Sequence, residues 1–249
     1  MNNLPTVTKN LLIINVLCFF CTIVARRYGI DVENLLGLHF FLASDFNPAQ
    51  LITYMFMHAG ILHILFNMLW LYWFGRLFLQ FFSAKHLRGL YVLGGIVGGL
   101  MYMLAYNLFP YFAGAVYSSY LLGASASVLA IVIAVGVREP NYPIQLMFVG
   151  TVKLKQVAIF MLLLDLLFMT SGNAGGHIAH LGGALAGWWF AAGLQKGHDA
   201  TKWINNILDF LSGSWKPVSR KPKMKVHYSD KQKDYDFNAR KKRTNRGNR

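Results

Sequence analysis

The chain has 249 residues, 55% of them hydrophobic and only 14% charged, with a mean hydropathy of +0.39. That is too apolar for an ordinary soluble domain of this length and indicates several membrane-spanning segments. The net charge of +14 is uneven: residues 196–249 hold 15 of the 24 Lys and Arg and 5 of the 10 Asp and Glu, a surplus of +10, which leaves +4 for the first 195 residues. Beside a membrane domain, such a tail marks the cytoplasmic face and its anionic lipids rather than a nucleic-acid partner.

Six apolar stretches follow in order, at about 10–25, 60–82, 89–109, 119–137, 157–172 and 177–195. Inside lipid, backbone groups are satisfied only in helices or closed barrels. The length of these stretches and their lack of strict alternation exclude a barrel. The expected fold is therefore all-α: a polytopic six-helix membrane domain over 1–195, then a basic cytoplasmic tail over 196–249. Lys9 precedes the first stretch and Arg26-Arg27 closes it without a small-x-small cleavage site, so it reads as a retained helix rather than a signal peptide. Cys18 and Cys21 lie within it at the spacing of a redox or metal motif, but inside a lipid-facing helix packing is the expected reading.

The loop over 26–59 is unusually apolar (Leu35-Leu36-Gly-Leu38-His39-Phe40-Phe41-Leu42) and is expected to lie partly in the membrane interface as short amphipathic pieces. Lys85, Arg88, Arg138, Lys153, Lys155 and the tail must share one side, which the positive-inside rule makes cytoplasmic, with both termini. A bacterial inner membrane fits this compact arrangement. Within 196–215, Trp203, Ile204, Ile207, Leu208, Phe210 and Leu211 fall at helical spacing, expected to form an interfacial helix, and 216–249 reads as disordered.

Three groups carry chemistry. His63 and Asn67, preceded by His58, are four residues apart on one helix face. An imidazole and an amide side by side can stabilise a developing oxyanion, or simply satisfy each other. Ser125 follows Gly123-Ala124 among small residues that suit close helix packing, with Ser127 a rival hydroxyl. His180, Gly183 and Gly187 form one stripe on the last helix, with His177 one turn nearer its start. Serine and histidine on touching helices are the minimum set for acyl transfer. His58, His63, His177 and His180 could also supply metal ligands, but these runs hold no His-Glu-x-x-His segment and no carboxylate, so no metal or other cofactor is expected. Asp165 is the one acid at mid-helix, costing about 2.5–3.5 kcal/mol on insertion scales. It is protonated, pairs with a polar residue as a structural anchor, or orients a histidine as the acid of a triad does. Arg76, 13 residues after His63, lies about 20 Å along the same helix, where it can snorkel to the cytoplasmic interface.

In this order, His63-x-x-x-Asn67, Gly123-Ala124-Ser125 and Ala179-His180-x-x-Gly183-x-x-x-Gly187 resemble the signatures of the rhomboid intramembrane serine proteases, over about residues 45–190. The resemblance implies a six-helix core with Ser125 as nucleophile and His180 as general base. It implies an oxyanion site built from the Ser125 N–H, His63 and Asn67, and a lateral gate at helix five. The substrate would be a transmembrane helix of another membrane protein, with the bilayer itself the remaining partner. A catalytically silent relative that binds transmembrane helices is the alternative. The chain departs from the family pattern at Ala126 (often Gly), at Leu129 (often a Tyr supporting the histidine) and at Ala49-Gln50 (often Trp-Arg). His180 then needs another support, and His177 or another nearby aromatic is the expected source.

Overall fold

The structure is a computed structural model, described here for residues 4–146, 150–168 and 173–213. Its long helices occupy all six expected stretches. In chain order the elements are α1 (Thr6–Arg27), α2 (Val32–Leu36), β1 (Leu38–His39), α3 (Gln50–Thr53), α4 (Ile61–Phe81), α5 (Ala84–Leu108), β2 (Tyr120–Leu121), α6 (Ser125–Arg138), β3 (Pro143–Leu146), β4 (Gly150–Lys153), α7 (Leu154–Leu167), α8 (Ala174–Gln195) and α9 (Lys202–Leu211). Among the described residues α1, α4 and α5 are long and apolar enough to cross a membrane on their own. The protein is an all-α, polytopic membrane bundle.

The centre is a close-packed trio of α5, α6 and α8. Glycine makes the approach possible. A Cβ on Gly183 would lie 2.1 Å from the Ala126 carbonyl oxygen, and one on Gly187 2.3 Å from that of Ala130. A Cβ on Gly98 would lie 2.6 Å from Ala126 Cβ, which fixes α5 against the same turn of α6. Helix α6 is apolar on every side and buried from Ala126 to Gly136, as a helix in a bundle core must be.

Helix α1 shows the reverse of a soluble pattern. Its buried residues are Thr8, Asn15 and Thr22, while Leu17, Phe20 and Val24 are exposed. Polar groups that cannot face lipid turn inward: Asn15 Nδ2 donates to the Tyr91 hydroxyl (3.0 Å), which donates to the Met55 carbonyl (3.1 Å). Thr8 packs on Gly75 of α4, where a Cβ would come within 2.9 Å of its methyl.

Three sequence expectations shift. The fourth helix begins at Ser125, not 119, because Leu38 and His39 pair antiparallel with Leu121 and Tyr120 and hold 120–121 extended. The third begins earlier, at Ala84, set by a capping box: Ser83 Oγ accepts the His86 N–H and His86 Nδ1 faces the Ser83 N–H. The fifth begins at Leu154, because the β3–β4 hairpin delivers the chain directly into it; residues 169–172 of the expected stretch lie outside the described residues.

The apolar first loop is built as short pieces, α2, β1, α3 and a 3₁₀ turn at Tyr54–Phe56. Gln50, 2% exposed, holds it together: Nε2 donates to the carbonyls of Asp45 (2.8 Å) and Leu35 (3.1 Å), while Oε1 accepts from the amides of His39 and Asn47 (both 3.2 Å). Residues up to Gly213 form one compact unit. Helix α9 lies against the start of α5, with Arg88 Nε on Asn205 Oδ1 (2.8 Å), Lys85 Nζ on Asp209 (2.7 Å) and Arg88 also paired with Asp209. Its Trp203, Ile207, Phe210 and Leu211 are exposed on the other face. The expected disordered segment, 216–249, lies outside the described residues, as do 214–215.

Candidate active site

Ser125 is the first residue of α6, so its N–H belongs to the turn that has no intrahelical acceptors. The turn before it depends on Gly123, whose φ of +120° suits glycine alone. There is also no room for a side chain there: a Cβ would lie 2.7 Å from His63 Nε2. The His63 ring therefore rests on the backbone just ahead of Ser125. Helix α6 has 14 residues, about 21 Å of rise against a hydrocarbon core of about 30 Å.

His180 Nε2 and Ser125 Oγ are 2.6 Å apart, across 55 residues of sequence. The other ring nitrogen, Nδ1, lies 2.7 Å from Asp165 Oδ1. With the Nδ1–H donated to the carboxylate, Nε2 is left to accept the serine proton, which is the tautomer a general base requires. His177 Nδ1 meets the same Oδ1 at 2.9 Å, and its ring stands edge-on to that of His180 at 5.7 Å. Asp165 is therefore paired with both histidines. Support for His180 comes from this carboxylate on α7, and His177 shares it. The donor atoms of Asp165, His177 and His180 lie within 4.8 Å of one another, a grouping that could hold a metal ion. The histidine runs lack a nearby acid in sequence but gain one in space. Direct hydrogen bonds among the three account for the arrangement without an ion.

Ser127 is placed elsewhere. It is fully buried, with its hydroxyl toward Met55 Sδ at 4.0 Å. Asn67 is buried, and its Nδ2 donates to the His63 backbone carbonyl at 2.9 Å. That leaves the second amide hydrogen and the cavity-lining face of the side chain. His58 is buried with its ring edge-on to His63 at 5.1 Å. Arg76 is remote from the site, donating to the Tyr72 hydroxyl at 3.0 Å.

Two cavities meet at these residues. One, of about 590 Å³, contains Ser125, His180, Asp165, His177, His63 and Asn67, with walls of Leu62, Phe66 and Trp70 from α4, Val128 and Leu129 from α6, and Met161, Leu164 and Phe168 from α7. Leu62, Phe66 and Phe168 are more than half exposed, so its rim is apolar. Helix α7 leans on α6 and α8, and the cavity separates it from α4. The other, of about 360 Å³, is polar, lined by Tyr102, Tyr106, Ser118, Ser119, Tyr120 and Asn173. His63 borders both. Gln50 and Asp165 are the residues whose structural roles the sequence leaves unassigned. Gln50 is marked only by replacing the expected Arg, Asp165 only by being an acid in an apolar run.

Residues 46–197, well over half of the chain, match the Rhomboid domain. The plant protein RHOMBOID-like protein 12, mitochondrial, of Arabidopsis thaliana is 31% identical over 156 residues, which cover 59% of this chain and 46% of that relative. The chain thus spans about half the length of the relative it matches. Its three motif groups, brought to one cavity inside an apolar bundle, and the domain match lead to the same place: the chain belongs to the rhomboid family of membrane proteins.

Proposed function

We propose that this protein is an intramembrane serine endopeptidase that cuts transmembrane helices of membrane-protein substrates with a Ser125–His180 pair. The observation that supports this best is the 2.6 Å contact between Ser125 Oγ and His180 Nε2 at the floor of an apolar-rimmed cavity. A substrate strand enters that cavity and places its scissile carbonyl carbon at Ser125 Oγ. His180 takes the hydroxyl proton as the C–O bond forms. The oxyanion develops beside the Ser125 N–H, at a helix N-terminus whose dipole favours negative charge, with His63 and Asn67 as further donors. Collapse of the tetrahedral species expels the amine, which takes the proton from His180 and leaves an acyl-enzyme. Water from the polar cavity then attacks the ester carbon, with His180 again as base; the second tetrahedral species expels Ser125 Oγ, which takes the proton back from His180, and releases the carboxylic acid product. The two cavities divide the labour, apolar for the helix and polar for water, with His63 between them.

The positive-inside rule, applied to the basic loops and the basic segment after the bundle, favours both termini on the cytoplasmic side, as in a bacterial inner membrane; the matched relative is by its name mitochondrial. A basic segment of this charge is attracted to anionic lipid headgroups. The test is cleavage of a helix-weakened transmembrane substrate in liposomes by wild type, Ser125→Ala and His180→Ala. Cutting by wild type alone supports the reading. Persistent cutting by Ser125→Ala removes the nucleophile assignment. No cutting by any form, with no labelling of Ser125 by a fluorophosphonate, leaves a silent helix-binding protein.

A further inference from the structure

Asp165, whose carboxylate meets both histidines of α8, lies on the helix beside the entrance. Helix α7 is held unevenly. Its buried residues are Leu154, Val157 and Ala158 at its start, and Asp165 near its other end. Ala158 meets Gly136 of α6 closely: a Cβ there would come within 3.2 Å of the alanine methyl. Toward the site, Leu163, Leu166, Leu167 and Phe168 are all more than half exposed. In that half of α7, Met161 and Leu162 pack against the core only as partly buried side chains, and the one buried residue is polar. Asp165 Oδ1 meets Nδ1 of His180 at 2.7 Å and Nδ1 of His177 at 2.9 Å, both on α8.

We propose that Asp165 is a positioning residue which couples the seating of α7 to the readiness of His180: with α7 against α8 its carboxylate orients the base, and with α7 displaced the base loses that support. Among the described residues it is the only hydrogen-bond partner of His180 Nδ1. Leu129, on the next turn of α6 after Ser125, has no polar atom to replace it. The cavity that must receive a substrate helix lies between α4 and α7, so entry works against this same seat. His177 doubles the attachment, donating to the same oxygen without touching Ser125. Opening of α7 releases two hydrogen bonds together, and the Ser–His pair is fully oriented only after α7 returns. Chemistry is thereby delayed until the substrate is enclosed, and water reaches the acyl group from the polar cavity on the other side of His63.

This inference rests on the protease reading, and the experiment separates the two. Full-length wild type, Asp165→Asn, Asp165→Glu and His177→Phe are reconstituted with the transmembrane substrate. Steady-state kinetics are measured together with amide hydrogen exchange across residues 159–168. Asp165→Asn keeps the side-chain shape but lacks the charge, and it is expected to lower kcat by about 10²- to 10⁴-fold, as loss of the orienting acid does in serine proteases. KM should stay within about threefold, because no substrate-binding group is removed. Exchange in 159–168 rises while 84–108 and 125–138 keep their protection. Asp165→Glu recovers part of kcat. His177→Phe keeps the Asp165–His180 contact, so its kcat falls by about tenfold at most, with 159–168 loosened. An Asp165→Asn enzyme with wild-type kcat, or one whose 159–168 segment exchanges as in wild type, overturns the proposal. If wild type neither cleaves nor labels at Ser125 and Asp165→Asn still loosens 159–168, the seat on α8 stands and the protease reading falls.

Discussion

Gly183→Ala tests whether helix spacing sets the active-site geometry. The new methyl would start 2.1 Å from the Ala126 carbonyl oxygen, a backbone atom that cannot turn aside. Reaching ordinary contact at 3.4 Å requires about 1.3 Å of separation between α8 and α6 at that level (3.4 less 2.1). Gly183 is one turn from His180, and Ala126 is next to Ser125, so the displacement falls on the Ser125–His180 contact itself. If α8 moves as a unit, that contact opens from 2.6 Å toward 3.9 Å, beyond hydrogen bonding. A misplacement of about 1 Å costs about 10²-fold in rate, and the overpacking costs about 1–3 kcal/mol of stability. The assay is substrate cleavage and fluorophosphonate labelling of Ser125 in detergent, with thermal unfolding to establish that the variant is folded. Gly114→Ala is the control, since a Cβ there meets nothing within 4 Å. A folded Gly183→Ala enzyme that cleaves and labels at the wild-type rate would refute the reasoning.

Other residues give sharper contrasts. Ser127→Ala should cleave within about threefold of wild type, because it loses only a weak contact to sulfur; a loss comparable to that of Ser125→Ala would mean the two hydroxyls have been misassigned. Gln50→Ala strands four backbone groups in the first loop, which at about 1 kcal/mol net each predicts a loss of about 2–4 kcal/mol; limited proteolysis between residues 30 and 57 should become faster, and an unchanged digestion pattern would count against it. The hydrogen bond from Lys85, and then that from Arg88, holds the Asp209 carboxyl below the usual carboxylate range. Its attachment of α9 is then fully present above about pH 4, the unfolded carboxylate value, and is lost as pH falls through the lower folded value. Hydrogen exchange in 202–211 should rise on acidification below pH 4 and in high salt, and Asp209→Asn should remove the pH dependence.

How much could be read from the sequence follows from the range of the interactions. The long helices are written in local hydropathy, and His63 with Asn67, or His180 with Gly183, share a face through helical spacing alone. Ser125 is recognisable from Gly123 because the turn needs a positive φ two residues before the serine. Asp165 is different. Its partners lie 12 and 15 residues away on another helix, and nothing local distinguishes a carboxylate that meets histidines from one that is protonated in lipid. The β1–β2 pairing joins residues about 80 positions apart through two residues per strand, too short for any alternation to show. Gln50 has no periodicity at all; its meaning is four hydrogen bonds made in a folded loop.

The mixed character of the helices has a consequence for biosynthesis. Helix α1, with its outward leucines and phenylalanine, and helices α4 and α5 are, among the described residues, long and apolar enough to cross a membrane as single segments. Helix α6 is 14 residues long and α8 is heavily diluted by glycine and alanine, so the bilayer alone holds neither well. These are the helices that bring Ser125 and His180. A nascent chain therefore closes the Ser125–His180 contact last, inside a frame already built, and under the proposed protease function an unfinished molecule carries no assembled nucleophile with which to attack its membrane neighbours.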